Sequence, residues 1–354
     1  MATRVEKTRA KMRANGIDNL IIVDPFNLQY LADFGGLAGD GCMVINDDEA
    51  VLITDARYEI EMGEKQLDDV QVVINSNYYG EAVKHIKSGS KNIGFEDRMP
   101  FAIYDKINQL VDLPLVSQHD LIEKIRVVKD ETEIAKIQKA CDLVSQAYEE
   151  LLKYVQVGMT EKQVSFFLHE WLVNHGAQKP SFDTIVASGY RSALPHGDAT
   201  DKKLAPNELV TIDFGFYYQG YTSDMTRTFA IGDPGEELKH AYEVVYGAQK
   251  AMIASMVDGV DGKDVDAAAR NYIDERGYGK EFNHGSGHSI GLDIHENPVT
   301  NRSCKDKLYN GFIMTAEPGI YIANKGGIRI EDDVLITPEG PKVLTSASKE
   351  LIIL

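Results

Sequence analysis

Two acidic residues lie in strand-like sequence, where aspartate is uncommon. Asp213 stands in a run in which Val210 and Ile212 share the apolar face, so its own side chain points to the opposite face. The chain turns near residues 219–220 and returns, and a hairpin loop with an even number of residues places Asp224 on the same face as Asp213. The two side chains would lie directly opposite or one diagonal step apart, within about 5 to 8 Å, so their carboxylates can converge.

Glu317 and Glu331 form a second pair of the same kind later in the chain. A five-residue loop between their strands would set Glu317 opposite Glu331. Each of the four acids, taken alone, has an ordinary explanation, either as an exposed strand residue or as the ion-pair partner of Arg227 or Arg329. Four acids at equivalent places of two strand pairs favour one shared site instead.

Three of the nine histidines of the chain fall within residues 283–298. They are His284, His288 and His295, and glycines flank the first two. These glycines disfavour a helix, because each costs about 1 kcal/mol relative to alanine in a helix interior. A backbone that bends closely, with several imidazoles beside it, is typical of a metal site.

The four acids and the histidines together indicate a particular chemistry. Carboxylates brought together repel one another and raise their own pKa values unless cations compensate them, and two divalent ions would balance four negative charges. Carboxylate-rich ligation with one neutral imidazole suits Mn²⁺, while Co²⁺, Fe²⁺ and Zn²⁺ would also be accepted. Two ions about 3.5 to 4 Å apart can activate a shared water molecule, so the pattern predicts a hydrolase.

Five motifs, in this order, resemble those of the pita-bread metallopeptidases of the Xaa-Pro type, the branch that contains aminopeptidase P and prolidase. The likeness is strong over residues 125–340, and the first 120 residues resemble the creatinase-type N-terminal domain of those enzymes. The motifs are Ile-Asp-Phe-Gly (212–215), Tyr-Thr-Ser-Asp-Met-Thr-Arg-Thr-Phe (221–229), Gly-His-Ser-Ile-Gly-Leu-Asp-Ile-His-Glu-Asn-Pro (287–298), Thr-Ala-Glu-Pro-Gly (315–319) and Arg-Ile-Glu-Asp (329–332).

The resemblance implies a set of metal ligands. In that family, the residues at the positions of Asp224 and Glu331 bridge both ions. The residue at the position of Asp213 binds one ion, and those at the positions of His288 and Glu317 bind the other. We therefore predict these five side chains as the ligands of a dinuclear centre.

The resemblance also implies catalytic roles. His196, in Leu-Pro-His-Gly (194–197), would contact the region of the scissile bond. His295 would hydrogen-bond the developing oxyanion or the substrate. Glu317 would carry a proton to the leaving imino nitrogen.

Two further residues are predicted to contact the substrate, each with an alternative. His284 either lines the pocket or is a loop histidine with hydrogen bonds of its own. Arg329 either meets a substrate carboxylate or orients Glu331 through a hydrogen bond.

The sequence favours an Xaa-Pro aminopeptidase acting on the N-terminus of proline-containing peptides, with an Xaa-Pro dipeptidase (prolidase) as the alternative. Residues 30–39 resemble the corresponding loop of aminopeptidase P more than the charged loop of lactic prolidases. Val299 stands where some prolidases carry a basic residue for the C-terminal carboxylate of the substrate. Methionine aminopeptidases share the ligands but generally lack the N-terminal domain, and non-catalytic members of the fold lose ligands that this chain keeps.

The elements that must position these residues fall into two predicted domains, residues 1–124 and 125–354, in an α+β fold. The first domain alternates short strands with helices and is predicted to be α/β. Its asparagine and aspartates at 46–48 predict a hairpin turn. Its predicted strands span 20–23, 41–45, 51–54 and 70–74.

The second domain repeats itself at an offset of 101 residues. Internal duplication accounts for this, each half being two helices followed by strands, packed as a pseudo-twofold domain. Thr160 with Gln163 forms a capping-box pattern, and Asp233 before Pro234 predicts a helix start. The recurring residues are Ala140, Val144, Ala147, Gly158, Lys162, Val164 and Gly176, repeated as Ala241, Val245, Ala248, Gly259, Lys263, Val265 and Gly277.

Composition excludes other classes of protein. A formal net charge of −18 over 354 residues opposes binding to nucleic acid, and no apolar run approaches the ~18 residues that span a membrane. The N-terminus lacks the apolar segment of a secretory signal, and three scattered cysteines, without a C-x-x-C pair, fit a reducing cytoplasm. We therefore predict a cytoplasmic enzyme, and the resemblance implies a homodimer.

Overall fold

A computed structural model describes residues 2–67 and 69–354 of the chain. The backbone forms two compact units, Met1–Arg126 and Val127–Leu354. Within the described ranges, no helix combines the length and the apolar character needed to span a membrane.

The first unit contains a six-stranded mixed sheet with helices between its strands. In chain order its elements are α1 (Arg4–Ala14), β1 (Asn19–Ile22), α2 (Pro25–Ala32), β2 (Gly41–Asn46), β3 (Ala50–Thr54), α3 (Glu59–Glu64), β4 (Gln71–Ile74), α4 (Tyr78–Ala82), a 3₁₀ turn (Val83–His85), β5 (Ile93–Glu96), α5 (Phe101–Asn108), β6 (Leu115–Gln118) and α6 (Glu123–Arg126).

The strands of this sheet run in the order β4-β3-β2-β1-β5-β6. The pairs β1–β2 and β2–β3 are antiparallel and the other three are parallel. All four predicted strands are present, with ends shifted by no more than one residue. The predicted turn joins β2 to β3, where Asn46 Oδ1 accepts the backbone N–H groups of Asp48 and Glu49.

The second unit is built from four longer helices and three antiparallel sheets. The sheets have the orders β7-β8-β9, β11-β10-β12-β15-β16 and β13-β14. In chain order the elements are α7 (Glu131–Tyr154), α8 (Glu161–Asn174), β7 (Ile185–Ser188), a 3₁₀ turn (Gly189–Ala193), β8 (Glu208–Phe214), β9 (Met225–Ile231), α9 (Glu236–Ser255), α10 (Gly262–Asp274), β10 (Gly287–Ser289), β11 (Glu296–Thr300), β12 (Ile313–Ala316), β13 (Gly319–Ile322), β14 (Gly326–Arg329), β15 (Asp332–Thr337) and β16 (Gly340–Val343).

The internal repeat appears in the structure as matching helix ends and matching buried positions. Gly158 and Gly259 follow α7 and α9 with φ values of 89° and 81°, and Gly176 and Gly277 follow α8 and α10 with 98° and 86°. Glycine adopts this left-handed conformation without steric cost, which explains its recurrence. The apolar residues of the repeat are buried in both copies, namely Ala140, Val144, Ala147 and Val164 with Ala241, Val245, Ala248 and Val265.

The capping prediction for α8 is confirmed, and the one for α9 is wrong. The Thr160 hydroxyl accepts the backbone N–H of Gln163, whose side chain accepts the N–H of Thr160 in return. The helix α9, by contrast, begins two residues beyond Pro234, with Gly235 at its N-cap. Asp233 accepts the N–H of Gly235 instead, closing a turn before the helix.

Each half of the second unit has a hydrophobic core of its own. The α7 and α8 helices pack with β8 and β9, whereas α9 and α10 pack with β12, β14 and β15. On β8, Val210 and Ile212 belong to the first core and Leu209 belongs to the second. Because strand side chains alternate, Asp213 shares the face of Leu209, which is turned towards the second half.

Candidate metal centre

Asp213 and Asp224 are brought together by the hairpin of β8 and β9. Thr226 on β9 pairs with Asp213 on β8. Asp224 lies two residues before Thr226, directly preceding β9, and so is one diagonal step from Asp213 on the same face, as the even-loop argument predicts. The backbone N–H of Asp224 donates to Asp333 Oδ2 at 2.9 Å, which fixes the chain at this point.

Glu317 and Glu331 are brought together in the second half. The β12–β15 ladder and the β13–β14 ladder share one continuous register, and the two glutamates lie between these ladders, opposite each other. The loop from β13 to β14 comprises residues 323–325, which is shorter than the predicted five. Both loop lengths are odd, so the same residues face each other.

His288 presents one ring nitrogen to these acids. Its Nδ1 lies 3.1 Å from the backbone oxygen of Ser289. Since a carbonyl oxygen can only accept, Nδ1 carries the proton and Nε2 keeps a lone pair. That Nε2 lies 3.6 Å from Asp224 Oδ2 and 3.7 Å from Glu317 Oε1. Burial lowers the pKa of His288 to about 4, so the ring is neutral at pH 7.

The electrostatics of this cluster fit a cation. Burial, and then neighbouring carboxylates, raise the pKa of Asp224 and of Glu331 well above their usual values. Among the residues that the structure describes, one carboxylate oxygen each of Asp213 and Asp224 is buried without a hydrogen-bond partner. A lone pair on His288 faces further acceptors. Ligand atoms of Asp224, His288 and Glu331 all lie within 4.8 Å of one another. A bound cation would satisfy these converging acceptors.

Arg329 and Thr226 form hydrogen bonds that orient the carboxylates of Asp213 and Glu331. Arg329 Nη2 donates to Asp213 Oδ2 at 2.6 Å, and its Nε donates to Thr226 Oγ1 at 3.1 Å. The Thr226 hydroxyl donates in turn to Glu331 Oε2 at 2.6 Å. Of the two alternatives for Arg329, a hydrogen bond made to Glu331 itself is not observed, because the guanidinium contacts Asp213 and is linked to Glu331 through the Thr226 hydroxyl. Contact with a substrate carboxylate stays a prediction. Hydrogen bonds to Tyr321 and to the Pro195 carbonyl engage further donors of this buried side chain.

Replacing Thr226 by valine is expected to weaken divalent-metal binding by roughly 10- to 100-fold, because Glu331 loses the donor that orients its carboxylate. Calorimetric titration of the metal-free protein with Mn²⁺ measures this. Thr211→Val is the matched control, since Thr211 is also buried but bonds to Thr228 and to a backbone oxygen outside the acid cluster. An affinity of the Thr226→Val protein within twofold of native would contradict the role.

A cavity of about 630 Å³ opens onto this cluster, within the usual range of about 300 to 1,000 Å³ for small-molecule sites. Every site residue predicted from the sequence lines it, namely His196, Asp213, Asp224, His284, His288, His295, Glu317, Arg329 and Glu331.

The three other histidines of the cavity differ in how they are held. His284 contacts the Gly285 carbonyl through Nδ1 and the Tyr321 hydroxyl through Nε2, and burial lowers its pKa to about 4. It thus lines the cavity with both ring nitrogens already engaged. The ring of His295 lies 4.7 Å from that of His288, edge to face. His196 is exposed at the cavity wall.

The buried residues that position the acid cluster were not predicted from the sequence. Arg227 and Asp332 form an ion pair of 2.7 Å with both side chains fully buried, and Arg227 also donates to the backbone oxygen of Glu331. Asp333 accepts the Sγ–H of Cys141 as well as the Asp224 N–H, and burial raises its pKa to about 7. The feature of the sequence that could have indicated these buried acids is the run of three acids at 331–333 within an apolar segment.

Comparison with known proteins identifies the family. The chain matches the model of metallopeptidase family M24 over residues 135–338, more than half of its length. It belongs to metallopeptidase family M24. Residues 4–128 match the creatinase/prolidase N-terminal domain, so the predicted family and fold class, a creatinase-type domain followed by a pita-bread domain, are confirmed, as is the predicted enzyme class of metallo-hydrolase.

Relatives within family M24 cover the whole chain. The Xaa-Pro dipeptidase of Pyrococcus horikoshii is 37% identical, over 99% of this chain and 99% of its own. The solved structure of the Xaa-Pro dipeptidase from Bacillus anthracis is 39% identical with a TM-score of 0.95, covering 99% of each chain. The X-Pro aminopeptidase from Thermotoga maritima is 34% identical with a TM-score of 0.88, covering 98% of this chain and 100% of its own.

Proposed function

We propose that this M24 protein is an Xaa-Pro dipeptidase that depends on divalent metal ions. The observation that carries the proposal is its likeness, over the full length of both chains, to proteins named Xaa-Pro dipeptidases. These relatives favour the alternative of the sequence analysis over the aminopeptidase that it preferred. The homodimer and the cytoplasmic location stay predictions.

Asp213, Asp224, His288, Glu317 and Glu331 would hold the metal ions. Two ions would neutralise the four carboxylates, and Mn²⁺ suits this oxygen-rich set with one imidazole, as Co²⁺, Fe²⁺ or Zn²⁺ would to a lesser degree. Such ions supply a Lewis acid and lower the pKa of a water molecule towards neutrality.

The side chains around the acids would carry out the remaining steps. Glu317 would carry a proton to the leaving imino nitrogen. His295 would donate a hydrogen bond to the oxyanion that develops on the scissile carbonyl. His196, which is exposed, would contact the region of the scissile bond, and the partly buried ring of His284 would contact the substrate. Arg329 would orient the carboxylate of Asp213 through its hydrogen bond.

An X-Pro aminopeptidase is the second candidate, and one observation favours it. Val299, which is 41% exposed, lines the cavity and pairs with His288 across the β10–β11 ladder. An uncharged side chain at this place does not bind a free carboxylate directly after proline, so a longer peptide would be accepted as readily.

We expect the Mn²⁺-loaded protein to hydrolyse Ala-Pro with a kcat/KM at least about tenfold above that for Ala-Pro-Ala, because a dipeptidase binds the transition state of a dipeptide more tightly than that of a longer peptide, and a difference of about 1.4 kcal/mol gives this factor. Product analysis by chromatography measures both reactions. Ala-Ala tests the need for proline, and an excess of chelator provides the metal-free control. Release of alanine from the tripeptide, with the dipeptide left intact, would establish the aminopeptidase instead.

A further inference from the structure

The loop between β10 and β11, residues 290–295, carries His295 and is held from inside by a carboxylate. Glu296 Oε1 accepts the backbone N–H groups of Leu292 at 3.1 Å and Asp293 at 3.3 Å. A Cβ atom on Gly291 would lie 2.7 Å from both oxygens of that carboxylate. The missing side chain at Gly291 is therefore what lets Glu296 fill the interior of the loop.

A buried lysine from the start of the second unit binds this carboxylate. Lys129 Nζ lies 3.0 Å from Glu296 Oε2 and 3.5 Å from Ser289 Oγ. Its side chain is only 1% exposed. Ser289 directly follows His288, and Glu296 directly follows His295. One ammonium group thus joins the residues next to both of these cavity histidines.

A buried ion pair of this kind is not explained by stability alone. The desolvation of two charges offsets most of their attraction, and apolar residues of similar volume often stabilise a fold equally well. In some proteins, buried polar or ionic groups instead fix the relative position of two segments, and that role fits this pair. His295 is exposed in the cavity and lies against the ring of His288, so the backbone of its loop sets where the imidazole points.

We infer that Lys129 is a positioning residue, which holds the His295 loop in place beside His288 through the carboxylate of Glu296. The inference rests on the proposed function, in which His295 hydrogen-bonds the substrate. Lys129 itself touches neither the substrate nor the metal ligands and acts only through Glu296 and Ser289.

Lys129→Met tests this against a matched control. Lys202 also contacts a serine hydroxyl and a glutamate, Ser188 at 2.7 Å and Glu208 at 2.9 Å, in the same unit, but neither of these residues is next to a cavity histidine in the chain. We expect Lys129→Met to lower kcat for Ala-Pro by roughly 10- to 100-fold with KM changed by less than about threefold, because a displaced catalytic group slows the reaction more than it weakens binding. Lys202→Met should leave kcat within about twofold of native.

Two further variants separate positioning from a merely structural role. In a His295→Ala background, Lys129→Met should lower kcat by less than a further twofold, since residues that act as a unit are not additive. If the two substitutions lowered kcat by the product of their separate effects, the inference would be overturned. The double variant Lys129→Met/Glu296→Gln removes both buried charges, so it folds even where the single variant does not. Its kcat should stay low, and recovery to the native value would show that only the unpaired charge had been harmful.

The outcomes for the native protein distinguish this inference from the proposed function. A native chain that hydrolyses no Xaa-Pro substrate with any of the four metals would refute the function, and the inference would fall with it. An active native chain together with an equally active Lys129→Met variant would refute the inference alone.

Discussion

Asp224→Asn is expected to abolish Ala-Pro hydrolysis, with a fall in kcat of about a thousandfold or more. The carboxylate stands at the centre of the cluster, with ligand atoms of His288 and Glu331 around it. Its loss removes several kcal/mol of charge stabilisation in the transition state, at about 1.4 kcal/mol for each factor of ten. Metal content by atomic emission should fall in parallel with kcat.

The same substitution should stabilise the metal-free protein. Burial, followed by Glu331 and Asp213, raises the pKa of Asp224 above its unfolded value, so above that unfolded value the folded state is progressively penalised for ionising this group. The metal-free native protein should therefore gain stability as the pH falls from 8 towards 5. A neutral amide removes this penalty, so the melting temperature of Asp224→Asn in chelator should exceed that of the native protein most at high pH.

Asp201→Asn serves as the control for both effects, because Asp201 is an acid of the same unit with its side chain 83% exposed. It should change neither kcat nor the melting temperature in chelator. An Asp224→Asn protein that keeps its metal and its full activity would remove Asp224 from the site.

Arg227→Met is expected to have the largest effect on folding, lowering the free energy of unfolding by about 3 to 5 kcal/mol, because it removes the fully buried cation of Asp332 and leaves only the partly exposed Lys349 as its partner. Arg227 also donates to the backbone oxygens of Thr226, Glu331, Ala347 and Ser348, and each of these acceptors loses this donor, although the Thr226 oxygen keeps the N–H of Glu331. Urea denaturation at pH 7 measures the change.

The pH dependence gives this prediction a second readout. Burial alone would raise the pKa of Asp332, but Arg227 and Lys349 lower it to about 2. The folded-state pKa lies below the unfolded value, so the ionised group contributes stability above about pH 4 and loses it as the pH falls through 2. The difference between variant and native should therefore shrink in acid. Lys325→Met, which breaks a pair with Glu237 that is 52% exposed on both sides, should cost no more than ~0.5 kcal/mol. A loss that small for Arg227→Met would contradict the assigned role.

Local rules were sufficient to place the acids. The side-chain alternation of a strand has a period of two, so the parity of a short hairpin decides which residues share a face. That rule predicts Asp224 beside Asp213. It also predicts Glu317 opposite Glu331, although the loop between β13 and β14 is shorter than expected. The internal repeat could also be recognised in the sequence, since its glycines follow helix ends and its alanines and valines occupy core positions.

Pairings between distant segments could not be predicted in this way. Lys129 and Glu296 are 167 positions apart, and Arg227 and Asp332 are 105 apart. Lys129 belongs to a charged link at 124–130 whose composition is typical of solvated surface, and nothing within it indicates a buried partner. The hydrogen bond from Arg329 to Asp213 could not be predicted for the same reason, because β8, which carries Asp213, lies in the other half of the repeat.

The division of the four acids between the two hairpins has a consequence for the life of the chain during synthesis. Asp213 and Asp224 are synthesised roughly a hundred residues before Glu317 and Glu331, so a nascent chain that has reached only the first hairpin would hold half of the proposed carboxylate ligands. With the four acids as the metal ligands, peptide hydrolysis would therefore require that both halves have been translated and have folded against each other. The nascent, unfolded chain would therefore have no peptidase activity.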